Sequence, residues 1–190
     1  MKKFVIIFVL LSITACDIFN TRDAEDPEES RSNYTTPSEP EILIQNLINS
    51  FSDKDVNNYV KSFTDPAFSN KPFFFLPTSS ALQTWSTLWI DWNVNAEFQY
   101  FQNLVTAAPE DLPITLIFSG EDYNPLGDSL DYTAQYSINI PQLNTEPLIY
   151  EGNVKFGMVR DMRDTWAIYF WQDNAISESQ SWSDLKGTSY

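Results

Sequence analysis

Residues 132–140 read Tyr132-Thr133-Ala134-Gln135-Tyr136-Ser137-Ile138-Asn139-Ile140, apolar or aromatic at every second position and polar between. A period of two turns one face of an extended chain to a core and leaves the other wet, so this stretch predicts a half-buried antiparallel strand. Working outward, PITLIFS at 113–119 predicts a strand before it. Residues 147–160 and 165–172 flank Asp161-Met162-Arg163-Asp164, which reads as a hairpin turn. Leu148, Tyr150, Val154, Phe156 and Met158 share a face of the first arm, and Trp166, Ile168 and Phe170 one face of the second. GEDYNPLGDSLD at 120–131 has the acids of a calcium loop without its spacing or closing Glu, and Pro125 and Gly127 make it a turn between strands.

Upstream of residue 110 the period changes to that of a helix. Ile42, Leu43, Ile44, Leu47, Ile48 and Phe51 form one stripe, with Pro40 suited to a first turn. Ser52 or Asp53 can cap a second helix with Val56, Tyr59, Val60 and Phe63 on one face, ended at Asp65-Pro66. Residues 67–79, with Pro72 and Pro77, read as a loop or short strand. Leu82, Trp85, Leu88, Trp89 and Trp92 predict a third helix over about 80–92, and Phe98, Phe101, Leu104 and Val105 a fourth, closed by Pro109. Helices first and an antiparallel sheet afterwards define an α+β domain over residues 40–175, followed by a polar C-terminal tail, 176–190.

Composition narrows the chemistry. The chain has 190 residues, room for one domain plus a tail, and 43% apolar with 15% aromatic residues provides a core. It has no His, which removes Ser-His-Asp and Cys-His nucleophile systems and His-based metal sites. Its single Cys removes intrachain disulfides and Cys-only clusters. A net charge of −15 argues against nucleic acid as a partner.

The chain opens MKKFVIIFVLLSITAC: two lysines, an apolar run too short to span a bilayer, then small residues before Cys16. This is the layout of a secretory signal peptide, residues 1–15. Ile13-Thr14-Ala15-Cys16 resembles a bacterial lipobox, with Ile in place of the common Leu. The resemblance implies lipidation of Cys16 and a bilayer as partner, at the inner or outer membrane of a bacterial envelope. Two or more acyl chains anchor a protein stably where one holds only marginally. Without residues 1–15, which carry two lysines and no acid, 9 cations face 26 acids and the charge is −17. Residues 16–39 are polar, acidic and Pro-containing, the composition of a flexible tether reaching ~25 Å.

ILIQNLINSFSDKDVNNYVKSF at 42–63 and VKFGMVRDMRDTWAIYFWQDN at 154–174 together resemble the SnoaL-like, nuclear transport factor 2-like, α+β cone superfamily. The early helix pair matches at Phe51, Asp55, Tyr59 and Phe63, and the last hairpin at Trp166, Ile168, Trp171 and Asp173. The resemblance implies N-terminal helices packed on a curved, cone-like antiparallel sheet. Enzymes on this cone use an Asp base with Tyr, Asp or His partners. Asp91, Asp131, Asp161, Asp164 and Asp173 are available, but loop and strand-end positions suit solvated acids, and the inward positions of the alternating strands hold none.

Trp85, Trp89 and Trp92 form a stripe that serves as core, as the lining of a ligand cavity with Tyr136, or as a partner surface. The expected function is that of a membrane-anchored envelope lipoprotein. It binds an apolar small molecule or an envelope protein without catalysis, without metal and without cofactor. The alternative is a small lyase or isomerase acting on an apolar cyclic substrate inside the cone. These differ in whether an ionisable group points into the pocket.

Overall fold

The computed structural model describes residues 32–176 and 179–190. The signal segment, Cys16 and the tether up to residue 31 lie outside the described residues. Strands β2 (Thr115–Leu126), β3 (Ser129–Ile140), β4 (Leu148–Arg160) and β5 (Trp166–Ala175) form an antiparallel meander, and β1 (Phe74–Leu76) pairs in parallel with β5, giving the order β1-β5-β4-β3-β2. Tyr132, Ala134, Tyr136, Ile138 and Ile140 are all buried and Thr133 and Gln135 exposed, as the alternation predicts. Register shifts at Ser119–Asp122 in β2 and opposite Gly157–Met158, where Tyr169 of β5 is the extra residue, curve the sheet, and Gly120 adopts φ +63° at the first.

β2 runs further than expected. Residues 120–126 extend the strand, Pro125 is tolerated because β2 is an edge, and the turn falls at Gly127, where φ is +65°.

Helices α1 (Pro40–Ser52), α2 (Val56–Val60), α3 (Ser79–Thr84) and α4 (Val94–Ala107) precede the sheet apart from β1, and α5 (Trp182–Ser189) follows it. α1 buries Leu43, Ile44, Leu47 and Phe51 and packs against β2 and β5. α2 is capped by Asp55 rather than Ser52 or Asp53, because Asp53 closes α1 and Lys54 turns the chain at φ +54°. α4 starts at Asn93, whose side chain accepts from the Asn95 and Ala96 amides, and its inward face is Ala96, Glu97, Tyr100, Phe101 and Leu104. Phe98, expected on that face, is exposed.

Three departures shape the site. The helix expected over 80–92 ends at Thr84, and residues 85–91 continue as turns. The Trp89 indole N–H donates to the Ala81 carbonyl at 3.0 Å, so the tryptophan spacing arises from a folded-back loop. Residues 176–190, read as a polar tail, include α5, whose Trp182, Ser183, Leu185 and Lys186 are buried. Residues 32–39, read as tether, lie along the domain: Pro37 is buried, the Trp166 amide donates to the Pro37 carbonyl at 2.8 Å, and Asn46 exchanges hydrogen bonds with the Thr35 backbone. The folded unit is therefore Ser32–Tyr190, wider at both ends than 40–175.

Candidate functional site

The inside of the curved sheet is closed by α5. Trp182 is wholly buried there, edge-on to Trp171 at 4.5 Å and to Phe51 at 5.5 Å between ring centres. Its indole N–H donates to the Tyr100 hydroxyl at 3.0 Å and its backbone N–H to the Tyr136 hydroxyl at 2.7 Å. One turn on, the Lys186 ammonium pairs with Glu97 and stands 3.5 Å from the centre of the Trp171 ring. Glu97 also accepts from the Trp92 indole at 2.6 Å and the Tyr59 hydroxyl at 2.7 Å. Asp173 accepts from Tyr136 at 2.7 Å and from the Ser183 amide and hydroxyl at 2.7 and 2.5 Å.

Burial governs the titration of this cluster. It pushes the Lys186 ammonium down to about 8, against the pull of Glu97. It raises the Asp173 carboxyl, against the Ser183 and Tyr136 hydrogen bonds and the charge of Lys186, and it raises Tyr59 and Tyr100 well above the usual phenol range. Carboxylates, a lysine and phenols in one desolvated space could serve acid–base chemistry. Each is instead engaged by a neighbouring side chain.

The sequence-derived candidates fall as follows. Trp89 and Trp92 are buried and tilt against each other and against Phe75. Trp85 is half-buried, and its ring lies where a Cβ on Gly187 would meet it at 2.5–2.7 Å. Tyr136 is buried on Asp173 and α5. Of the acids, Asp91 is exposed, Asp131 pairs with Lys155 at 2.7 Å, and Asp161 and Asp164 occupy the β4–β5 turn. Asp173 lies inside, which corrects the expectation that the inward strand positions hold no acid. The sequence motifs do not mark Glu97, Lys186 or Trp182 as site residues. Glu97 stands at i of the stripe Glu97, Tyr100, Phe101, Leu104, and Ser181-Trp182-Ser183-Asp184 is a capping box announcing a helix start; both signals were legible.

Elsewhere a cleft of about 860 Å³ opens between residues 34–37, the segment from Val60 to Pro66, the start of α4 and the start of β5. Val60, Phe63, Phe73, Val94 and Trp166 give it apolar walls, and none of its lining comes from α5. Phe63 lies between cleft and cone, its ring stacked on Trp171 at 6.1 Å. Two cations reach the cleft and both are occupied: Arg163 pairs with Asp161, and Lys61 lies over the Tyr34 ring and donates to Asn58. Thr64 and Trp166 also line it, and the Thr64 hydroxyl and the Trp166 indole N–H are buried without a hydrogen-bond partner among the described residues. The Ser62 hydroxyl and the Trp171 indole N–H, which do not line the cleft, are buried without a partner in the same way, so the feature is not particular to the cleft.

No protein-family profile matches the chain, and no curated protein matches it in sequence. Solved structures do resemble it in fold. An NTF2-like protein of unknown function from Pseudomonas putida aligns over 73% of this chain and 85% of its own, at 10% identity and TM-score 0.52. A Streptomyces avermitilis protein, provisionally named a dehydratase of the NTF2-like family, aligns over 72% and 94%, at 8% identity and TM-score 0.54. A Novosphingobium aromaticivorans protein, provisionally named an aromatic ring hydroxylase, aligns over 85% and 99%, at 12% identity and TM-score 0.58. A five-stranded curved sheet carrying helices is the NTF2-like cone fold, and this chain has it. At such identities the likeness extends to the fold and not to an activity.

Proposed function

We propose that this chain is a bacterial envelope lipoprotein, held to a bilayer through acylated Cys16, whose NTF2-like domain is a non-catalytic binding module. The observation that carries the non-catalytic reading is the occupation of the cone by α5: Trp182 and Lys186 fill the space where a substrate would have to reach Glu97 and Asp173. The anchor rests on the signal segment, the lipobox-like Ile13–Cys16 and the position of the sole Cys. Among the described residues no helix is long and apolar enough to cross a membrane.

The competing reading is a lyase or isomerase. The Glu97, Asp173, Tyr59 and Tyr136 cluster and the provisional name of the Streptomyces protein favour it, but it requires α5 to leave the cone. Hydrogen exchange at the Trp182 indole and the α5 amides separates the two. Exchange only on global unfolding supports the closed module, whereas fast exchange from a populated open state supports the enzyme. Fatty-acid labelling tests the anchor: label on the wild type and none on Cys16→Ser supports it, and equal label on both overturns it.

A further inference from the structure

We infer that the end of the domain from which the chain leads back to Cys16 is a lipid-contacting surface. Leu112, Leu143 and Leu148, on the loops and strand ends there, enter the interface of a zwitterionic bilayer and seat the domain on the membrane that holds its anchor. This deepens the lipoprotein reading and rests on it.

Register and hydrogen bonds define that end. β3 finishes at Ile140 opposite Leu148, where β4 starts, and Thr115, where β2 starts, pairs with Asn139. The loops 108–114 and 141–147 therefore leave the sheet at the same end. The folded unit begins there too: the Asn58 side chain donates to the Ser32 hydroxyl, and the Asn33 side-chain amide donates to Asp53. Next to Asp53, the Lys54 ammonium donates to the Pro109 and Glu110 carbonyls. Ser32 stands 16 positions after Cys16, so even a fully extended chain carries it no further than ~55 Å from the bilayer, on the order of the domain's own breadth. An acyl anchor thus keeps this end at high local concentration beside lipid. Contacts too weak to recruit a free protein suffice to seat a tethered one.

The side chains suit that partner. Leu143 is 70% exposed, Leu148 45% and Leu112 40%, and Ile149, beside Leu148, is 52% exposed. Single exposed apolar residues are ordinary, but several gathered where the anchor meets the fold mark a contact. The charges choose the lipid. Glu110, Asp111 and Glu146 border the leucines, and Lys54 is already held by backbone carbonyls. Acids repel an anionic surface, so headgroups without net charge are the fit.

The test uses the full chain, purified with its acyl groups and reconstituted in phosphatidylcholine vesicles. Acylation of Cys16 leaves a cysteine introduced by Leu143→Cys, or by Met162→Cys in the exposed β4–β5 turn at the opposite end, as the only free thiol for an environment-sensitive dye. The dye on Leu143→Cys should shift to the blue and be quenched by brominated lipid chains, and the dye on Met162→Cys should do neither. Leu112→Asn combined with Leu148→Asn should abolish the shift at Leu143→Cys while leaving the melting temperature within the small range typical of surface changes. Phosphatidylglycerol in the vesicles should weaken the shift. Equal behaviour of the two labels, or a shift that needs phosphatidylglycerol, overturns the inference. So does a shift that appears without vesicles and grows with protein concentration, which would make the surface a contact between copies of this chain. Fatty-acid labelling is read on the same preparation. Acylated chains that leave Leu143→Cys in water defeat the surface alone, whereas chains without acyl groups defeat anchor and surface together.

Discussion

Glu97 on α4 and Lys186 on α5, 89 positions apart in sequence, form an ion pair in which neither side chain is exposed to water. Desolvating two charges consumes most of what their attraction returns, so the pair adds little net stability. Removing one partner, however, strands the other in the core.

Lys186→Met should therefore destabilise the domain by about 3–5 kcal/mol. Adding Glu97→Gln should recover most of the loss. A glutamine carbonyl still accepts from Trp92, its amide can donate to the Tyr59 oxygen, and no charge remains. Urea denaturation of the two single variants and the double variant measures this, and an additive double variant would contradict it.

The fit of α5 against the folded-back loop is a second point of leverage. Gly187→Ala places a Cβ into the Trp85 ring and should cost about 1–3 kcal/mol by overpacking. In a Trp85→Ala background the same change should be neutral or mildly stabilising, since alanine is the better helix former. The cycle of four proteins reads the contact directly.

The tryptophans should not respond alike. Trp89→Ala and Trp92→Ala should each cost about 3–5 kcal/mol, and Trp92 has the added effect of taking a donor from Glu97. Trp85→Ala should cost less, because that ring is only half-buried. Denaturation midpoints rank the three.

Acid sensitivity should trace in part to the β4–β5 turn. Burial alone would raise the Asp161 carboxyl, but the Arg163 side chain and amide and the Thr165 amide and hydroxyl outweigh it and hold the carboxyl below its usual 3.8. The unfolded chain thus takes up this proton first as pH falls. The stabilisation is fully present above about pH 3.8 and is lost as pH drops through the folded value. Asp161→Asn keeps the turn's amide bonds and loses the Arg163 pairing, which is half-exposed. It should cost about 1 kcal/mol near neutrality and flatten the acid limb of a stability–pH curve.

The period-two and period-3.6 patterns made the sheet and the first helix pair legible, because both depend on neighbours within a few residues. The 80–92 helix misled for a physical reason. Trp85, Trp89 and Trp92 are spaced like a stripe, but the chain turns after Thr84 to bring the Trp89 indole back onto Ala81. The last segment was half legible: Ser181–Asp184 marks a helix start, but SWSDLKGTSY holds few apolar residues and a lysine, and what makes burying that lysine tolerable, Glu97 and the Phe75 and Trp171 rings, lies elsewhere in the chain. The cleft was invisible because its walls come from five separated stretches of the chain.

Chain order gives the placement of α5 a temporal meaning. Glu97 and Asp173 precede Lys186 and Ser183 in the chain, so before α5 docks Glu97 has only Tyr59 and Trp92, and Asp173 only Tyr136, to bond. A buried carboxylate without its full set of partners is costly, so docking of α5 and drying of the space around the two acids are one step.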